Sequence, residues 1–341
     1  MTVTEAAPAA PSTEREVVLE VRDLTTAIIG NRWQAAAVDG VSFSIRRGET
    51  LALVGESGSG KSLTALSILR LVEPPVVIAG GVVDFEGTDL MRLPQGRMRQ
   101  IRGAAISMVF QEPMTSLDPA FTIGSQLRET LLAHRQMTRM EVDRACVAML
   151  DRVGIADASR RLRAYPHEFS GGMRQRVMIA MALLLDPRLL LADEPTTALD
   201  VTTQAQVLEL IRGLQQERGL SILLISHDLG AVLDVADRVA VMYAGQIVEQ
   251  ATSAELINRP RHPYTQALLR SKLALGASRT PIPVIEGQIP GLRDRPAACR
   301  FAPRCPRALD ACRADPIELV PDDTEGRLLR CINPGSWERA A

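Results

Sequence analysis

Residues 50–72, TLALVGESGSGKSLTALSILRLV, join an apolar run, a glycine-rich turn and a leucine-rich run. A short apolar run before a turn is typical of a buried strand, and the leucine spacing after the turn is typical of a helix. We expect this helix to carry Leu63, Leu66 and Leu69 on one apolar face. A strand, a glycine-rich turn and a helix in this order form the context that a phosphate-binding loop requires.

The turn itself, GESGSGKS at residues 55–62, satisfies the P-loop pattern in full. Its glycines let successive backbone N–H groups turn toward a phosphate, and the following helix N-terminus adds a positive dipole. Lys61 is expected to reach the β- and γ-phosphates, and Ser62 Oγ to ligate Mg²⁺. The predicted nucleotide-binding residues of this loop are Gly55, Glu56, Ser57, Gly58, Ser59, Gly60, Lys61 and Ser62.

A P-loop also needs a carboxylate for its metal ion, and LLLADEP at residues 189–195 supplies two. Asp193 ends a predicted buried strand and is expected to hold Mg²⁺ through the ion's hydration shell. Because neighbouring strand residues point to opposite sides, we place Glu194 toward the attacking water, as its general base.

Composition and patterning limit the class of protein. The content is 46% hydrophobic and 23% charged, and a net charge of -1 gives no electrostatic reason to expect nucleic acid. Residues 1–16 lack the basic and apolar regions of a signal peptide and are expected to form a disordered tail. The most apolar run is interrupted at residues 186–188, short of the ~20 residues that span a bilayer. We expect a cytosolic chain that does not itself cross a membrane.

The order of apolar patterns predicts an α/β fold. Residues 17–49 alternate with period two, as in antiparallel strands, whereas residues 123–153 have a helical period. The continuous apolar runs near residues 189 and 221 are typical of a buried parallel sheet, and residues 238–250 of a hairpin turning at Ala244 and Gly245. The predicted organisation is a tail at 1–16, a main domain at 17–251 with a helical subdomain at about 112–168, and a loop-rich extension at 252–341.

A second helix N-terminus that could bind an anion is predicted at FSGGMRQR, residues 169–176. Ser170, Gly171 and Gly172 present small side chains and free N–H groups there. A single bound phosphate, already held by the P-loop, would not require this second site. With this motif the sequence resembles the ATP-binding cassette family, whose signature it is, although Met173 replaces the usual glutamine. The resemblance covers about residues 17–250.

Further motifs of that family follow in the expected order. VFQEP, with Gln111, resembles the Q-loop; TALD, ending at Asp200, resembles the D-loop; ISHD, with His227, resembles the switch-histidine motif. The resemblance implies a RecA-like parallel core with an antiparallel β subdomain and an α-helical subdomain. It further implies that Gln111 serves at both Mg²⁺ and the catalytic site. It also implies that His227 holds the γ-phosphate and attacking water.

The family resemblance implies a two-cassette mechanism. Ser170 and Gly172 of one cassette would contact the γ-phosphate bound by another. This chain has one P-loop, one signature and no internal repeat, so the second cassette must be another chain, with a related one favoured. Family members also stack adenine on an aromatic residue upstream of the P-loop; Trp33 is the candidate, with simple packing as the alternative.

Four cysteines occupy the extension, namely Cys299, Cys305, Cys312 and Cys331. A cytosolic chain is not expected to form disulfides, so zinc or an iron–sulfur cluster is indicated. The gaps of five, six and eighteen residues lack the close pairs that structural zinc sites favour. Cys146, on the apolar stripe of the helical region, is interpreted as a packing residue.

The start of the extension, NRPRHPYTQALL, carries His262, Pro263 and Tyr264 and resembles the C-terminal region of oligopeptide and dipeptide importer ATPases. That resemblance implies a structural [4Fe-4S] cluster on the four cysteines, with zinc and unmetallated thiols as alternatives. It also implies an ATPase subunit at the cytoplasmic face of the membrane that binds ATP and Mg²⁺. Its implied partners are two transmembrane permeases, which provide its only membrane contact, and an extracytoplasmic substrate-binding protein.

Two other functions remain open on the sequence. The first is a soluble cassette ATPase acting on DNA or ribosomes, although such proteins usually carry two cassettes or a very long coiled-coil insertion. The second is a redox-regulated ATPase controlled by the cluster. A P-loop GTPase is disfavoured because the chain has no Asn-Lys-x-Asp guanine motif.

Overall fold

The computed structural model describes residues 16–111, 116–197, 199–273, 285–324 and 326–336. The predicted disordered tail lies outside these ranges except for Glu16, as do residues 112–115 at the predicted start of the helical subdomain. The strands are β1 (Val17–Ile29), β2 (Gln34–Arg46), β3 (Thr50–Val54), β4 (Val76–Phe85), β5 (Thr88–Asp89), β6 (Ile106–Val109), β7 (Leu189–Asp193), β8 (Ser221–Ser226), β9 (Arg238–Tyr243), β10 (Gln246–Thr252), β11 (Val320–Pro321) and β12 (Leu328–Leu329).

Helices lie between and around these strands. They are α1 (Lys61–Ile68), α2 (Gln95–Ile101), α3 (Ile123–Leu132), α4 (Arg139–Arg152), α5 (Ala158–Arg161), α6 (Gly171–Leu183), α7 (Val201–Arg218), α8 (Leu229–Leu233), α9 (Ser253–Asn258), α10 (Pro263–Leu273) and α11 (Ala311–Ala314). Within the described ranges, no helix is both long enough and apolar enough to cross a bilayer.

The main sheet has a parallel core in the order β9-β3-β8-β7-β6. Every residue of β3, β7 and β8 is buried, which explains their continuous apolar runs. β10 continues the sheet antiparallel to β9 through the predicted turn at Ala244 and Gly245, both at positive φ. The predicted α/β fold is therefore confirmed.

A second, antiparallel sheet in the order β2-β1-β4-β5 covers one face of this core. Val41, Phe43 and Ile45 of β2 are buried, as their period-two spacing predicts. The other face is covered by the helices around α6, with which α3 and α4 share a hydrophobic cluster. Cys146 of α4 is fully buried there, and burial raises the pKa of its thiol to about 11, consistent with packing.

The buried face of α1 differs from the predicted one. Leu69, just after the helix, is buried, but Leu63 and Leu66 are only half-buried, whereas Thr64 and Ile68 are inaccessible to solvent. The reason is that α1 packs against β1 and β2 as well as β7, so more than one of its faces is enclosed. Polar Thr64 is accommodated because its Oγ1 donates to the Gly60 carbonyl oxygen at 2.9 Å.

The C-terminal extension completes the main sheet. β12 pairs antiparallel with β10, and β11 pairs with β12, so these two-residue strands form the sheet's edge. Arg327 beside β12 is 1% exposed and lies 3.8 Å from the fully buried carboxylate of Glu249 on β10. The extension is thus joined to the cassette through both backbone pairing and a buried ion pair, although the sequence predicts only a loop-rich appendage.

The His-Pro-Tyr motif forms the centre of this attachment. The Glu249 carboxylate accepts hydrogen bonds from the backbone N–H groups of Arg261 and His262, both at 2.9 Å. The ring of Tyr264 packs against Tyr243 and Phe301, with centroids 4.7 and 5.3 Å away. The motif therefore forms a small aromatic core between the extension and β9.

We predict that His262 makes this attachment sensitive to acid. Burial lowers the pKa of its imidazole to about 3, so it is neutral in the folded chain, whereas an unfolded histidine has a pKa near 6.5. The unfolded state therefore takes up a proton first as the pH falls below about 6.5, and stability present above that pH is lost. Between about pH 7 and 5, this histidine should lower the free energy of unfolding by ~2 kcal/mol.

Denaturant unfolding of the native chain and His262→Gln at these pH values measures this contribution. His262→Gln should reduce the pH dependence by that amount, because glutamine does not titrate. His134→Gln is the matched control, since His134 is exposed. Equal pH dependence in the native chain and His262→Gln would contradict the prediction.

Candidate active site

The P-loop is packed tightly between the two sheets. It leaves β3 at Gly55, where a Cβ atom would lie under 3.0 Å from the carbonyl oxygen of Met242 on β9. At Gly60, where φ is 104°, a Cβ atom would lie 2.9 Å from the Ala37 carbonyl oxygen on β2. Side chains are therefore excluded at both positions, and the loop conformation is set by backbone contact.

Lys61 is enclosed by the loop that precedes it. Its Nζ donates to the carbonyl oxygens of Gly55 and Glu56 at 2.8 and 3.0 Å, and lies 4.0 Å from Glu194 Oε1. Burial lowers the pKa of its ammonium group, while the charges of Glu194 and Asp193 oppose that shift. The lysine is thus fixed as a buried donor between the loop and the acidic end of β7.

Ser62 and Asp193, the predicted magnesium residues, are in direct contact. Ser62 Oγ donates to Asp193 Oδ1 at 2.8 Å. Burial raises the pKa of the Asp193 carboxyl, and the Ser62 hydrogen bond opposes this shift. A hydroxyl and a carboxylate oxygen at one point are ligands that Mg²⁺ accepts, so the donor set fits that ion.

Glu194 is the centre of a polar cluster. Its Oε2 accepts hydrogen bonds from Gln111 Nε2 at 3.0 Å and from Thr197 Oγ1 at 2.8 Å, and lies 3.1 Å from His227 Nδ1. Its backbone has a positive φ of 46° and donates to the Ile225 carbonyl oxygen. Because β7 ends at Asp193, this left-handed backbone, rather than the strand alternation expected from the sequence, orients the Glu194 side chain.

The structure brings together the three residues predicted to be catalytic, Gln111, Glu194 and His227. Gln111 is also predicted to serve at Mg²⁺. In this structure its side-chain amide donates a hydrogen bond to Glu194. Thr197 is a member of the cluster that the sequence reasoning missed. Its position three residues after Glu194 could have indicated this contact, because threonine hydroxyls commonly form hydrogen bonds with nearby groups within turns.

The predicted signature motif begins helix α6. Ser170 caps the helix, with its Oγ accepting the backbone N–H of the third following residue at 3.3 Å, and both Ser170 and Gly171 are exposed. A Cβ atom on Gly172 would lie 2.7 Å from Thr203 Cγ2. Asp200, the predicted D-loop residue, caps α7 by accepting from Thr203 N and Oγ1 at 3.0 and 2.7 Å. Signature and D-loop residues thus share a contact at Thr203.

Trp33 lies in the turn between β1 and β2. Its ring packs on Gly30, and the guanidinium carbon of Arg293 is 5.7 Å from its ring centroid. Arg295 donates to the carbonyl oxygens of Ala36 and Gly58 at 2.9 and 3.4 Å. The extension therefore contacts both the predicted adenine-stacking residue and the P-loop.

None of the four extension cysteines is in a disulfide, and Cys312 is buried while the other three are half-buried. The backbone N–H of Cys299 donates to the Cys312 carbonyl oxygen at 3.1 Å. Burial raises the pKa of the Cys331 thiol to about 11, with smaller contributions from the other three cysteines. Over the described ranges, however, no three or more His, Cys, Asp or Glu side chains are arranged so that they could hold a metal ion.

Comparisons with known proteins agree with this geometry. The family described as ABC transporter matches residues 38–197, and the family described as oligopeptide/dipeptide transporter, C-terminal region, matches residues 248–312. The dimeric ATP-binding cassette MJ0796, solved with ADP and Pi in a post-hydrolysis state, superposes with a TM-score of 0.62 at 26% identity. That match covers 69% of this chain and 98% of the solved one.

Curated relatives match nearly the whole chain. The oligopeptide transport ATP-binding protein AppD of Bacillus subtilis (strain 168) is 50% identical over 316 residues, 92% of this chain and 96% of the relative. The dipeptide transport ATP-binding protein DppD of Haemophilus influenzae (strain Rd) is 46% identical over 317 residues, 93% of this chain and 96% of the relative. This chain therefore belongs to the ABC transporter family of ATP-hydrolysing cassettes, in its oligopeptide/dipeptide transporter branch.

Proposed function

We propose that this chain is the ATP-hydrolysing subunit of an importer that carries dipeptides or oligopeptides across the cytoplasmic membrane, working from the cytoplasmic face. One observation carries the proposal: a complete Glu194 cluster and a His-Pro-Tyr extension are built onto the same cassette. The cluster supports ATP hydrolysis, and the extension is the feature shared with relatives named for peptide transport.

In the proposed reaction, Glu194 accepts a proton from the water that attacks the γ-phosphate. Gln111, Thr197 and His227 hold its carboxylate in one orientation. Lys61 supplies positive charge to the β- and γ-phosphates from inside the P-loop. Bound Mg²⁺, held by Ser62 and Asp193, would neutralise phosphate charge.

We predict that Glu194→Gln separates ATP binding from hydrolysis. The amide cannot accept the water's proton, so the turnover number should fall about 10²- to 10⁴-fold. The P-loop contacts remain, so the dissociation constant for Mg-ATP should change by no more than about threefold. Phosphate release by the assembled transporter and titration with a fluorescent ATP analogue measure the two quantities.

The control is Glu217→Gln, the same substitution at an exposed glutamate on α7 that pairs with Arg152. It should hydrolyse ATP at the native rate. Undiminished turnover in Glu194→Gln would remove Glu194 from the role of general base.

The second cassette is proposed to be a related chain. The exposed start of α6, with Ser170 and Gly171, supports the presence of a second cassette, because an uncovered helix N-terminus can bind a phosphate held by a partner. The solved dimer of MJ0796 supports a two-cassette arrangement by analogy. Ser170 and Gly172 would then contact the γ-phosphate in the partner's site.

A membrane permease is proposed to dock near Gln111. The adjacent Phe110 lines an apolar cleft of about 240 Å³ with Leu71, Met178 and Met181, and its side chain is partly exposed. Gln111 in turn bonds to Glu194, so a permease segment seated in the cleft would lie one residue from the catalytic cluster. Two such permeases, served by an extracytoplasmic substrate-binding protein, complete the proposed importer.

Uptake of a labelled dipeptide and a labelled pentapeptide by cells that lack this chain tests the transport proposal. Native protein supplied from a plasmid should restore uptake, and Glu194→Gln should not, because import requires hydrolysis. Uptake of a free amino acid should be equal in all strains. If deletion leaves both peptide uptakes unchanged, peptide import is rejected while the ATPase assignment stands.

The four extension cysteines are proposed to hold a [4Fe-4S] cluster, with zinc as the alternative. Neighbouring cysteines contribute to the raised pKa values of the Cys331 and Cys299 thiols, and this supports a shared site. A zinc ion with Zn–S distances of ~2.3 Å would need all four sulfurs about 3.8 Å apart. The gaps between the cysteines, which lack the close pairs typical of structural zinc sites, favour the cluster over zinc. Its role would be to tie together a segment with few apolar residues.

We predict that the anaerobically purified chain contains about four iron and four sulfide per chain. Cys305→Ala should lose both, because it removes one of the proposed ligands. Cys146→Ala is the matched control and should keep them, since Cys146 is buried in the helical region. Iron, sulfide and zinc analysis decides the matter: one zinc per chain would replace the cluster by zinc, and no metal would reject both.

A further inference from the structure

The extension makes direct contact with the P-loop at Glu56. Tyr264 Oη accepts the Glu56 backbone N–H at 2.9 Å. Arg304 Nη1 lies 3.2 and 3.1 Å from the two carboxylate oxygens of Glu56, and 3.3 Å from the Tyr243 hydroxyl. Backbone and side chain of this one residue are thus both held from outside the cassette core.

The peptide group between Gly55 and Glu56 is bonded on both sides. Its carbonyl oxygen accepts from Lys61 Nζ at 2.8 Å, and its N–H donates to Tyr264 Oη at 2.9 Å. In a planar trans peptide these two groups point in opposite directions, so rotation of the plane would disturb both bonds together. The orientation of the P-loop lysine is therefore linked to the tyrosine of the His-Pro-Tyr motif.

Both extension side chains are held rigidly. Tyr264 has no exposed surface and its ring packs against Tyr243 and Phe301. The Arg304 side chain is 5% exposed, and it also donates to the carbonyl oxygens of Ile285 and Glu286. A donor or acceptor already fixed in position loses little freedom on making a hydrogen bond, and burial from water strengthens that bond.

We propose that Tyr264 and Arg304 are positioning residues for ATP, acting through Glu56 to hold the P-loop in the conformation that presents Lys61 to the phosphates. Both act through Glu56 rather than through direct contact with the nucleotide. The proposal rests on ATP binding by this chain and does not depend on which substrate is transported.

Tyr264→Phe provides the sharpest test because it removes only the hydroxyl that accepts the Glu56 N–H. The full-length chain should bind a fluorescent ATP analogue with Mg²⁺ about 3- to 10-fold more weakly, the range expected for one lost hydrogen bond. The turnover number of the assembled transporter at saturating ATP should stay within about twofold, because the Glu194 cluster is unchanged. The effect should therefore fall on KM and Kd rather than on kcat.

Arg304→Gln provides a second variant, and Arg300→Gln its matched control. Arg300 lies in the same short segment and is also next to a cysteine, but it pairs with Asp39 and the Ala244 carbonyl oxygen rather than with the P-loop. Arg304→Gln should weaken binding about 3- to 10-fold, and Arg300→Gln by less than about twofold. Thermal unfolding identifies any variant that has lost its fold.

Hydrogen exchange supplies a reciprocal measurement, because coupling between two sites acts in both directions. Nucleotide should slow amide exchange in residues 263–270 of the native chain and have a smaller effect in Tyr264→Phe. Unchanged ATP affinity in folded Tyr264→Phe would overturn the proposal. Equal losses in Arg300→Gln and Arg304→Gln would also overturn it, because the extension would then act only by general attachment.

Discussion

The register of the parallel sheet is the constraint on which the rest of the site depends. In one row of the sheet, Ile225 of β8 lies opposite Leu53 of β3 on one side and Asp193 of β7 on the other. The carboxyl ends of the three strands therefore meet at one edge, where the P-loop, the acidic pair and the loop with His227 begin. A slip of one residue along β7 would turn every side chain of that strand to its opposite face and would move Asp193 out of this row.

The sequence was sufficient for the parts of this arrangement that repeat a local pattern. The P-loop has a complete motif, and the apolar runs of β7 and β8 are long enough to identify buried parallel strands. The sequence was less informative for a helix that is buried on more than one face, such as α1 between the two sheets. On α1, leucine spacing could not show that Thr64 is buried, because its polar hydroxyl is satisfied by a backbone carbonyl of the preceding turn, a contact that the spacing does not reveal. Contacts between distant residues, such as Glu56 with Tyr264, leave no periodic signal.

The attachment of the extension rests on a buried charge. Burial raises the pKa of the fully enclosed Glu249 carboxyl, and backbone N–H groups of His262 and Arg261 and the charge of Arg327 oppose that shift. A buried carboxylate is tolerable only while such partners remain, because removing one leaves a charge without compensation. The pairing of β12 with β10 keeps Arg327 in place, and the His-Pro-Tyr motif supplies the N–H groups. The strand β12 and the His-Pro-Tyr motif, which have little hydrophobic core of their own, are thereby attached firmly to the cassette.

The same short segment carries both the thiols and the arginines that reach the cassette. Arg300 follows Cys299 and Arg304 precedes Cys305, with the turn Ala302–Arg304 between them. Each arginine is adjacent in sequence to a cysteine, so the backbone that places one side chain also places the other. The Arg304 guanidinium placed in this way contacts the Glu56 carboxylate in the P-loop. The same short stretch of backbone thus carries the contacts of the extension with the cassette at Asp39 and with the P-loop at Glu56.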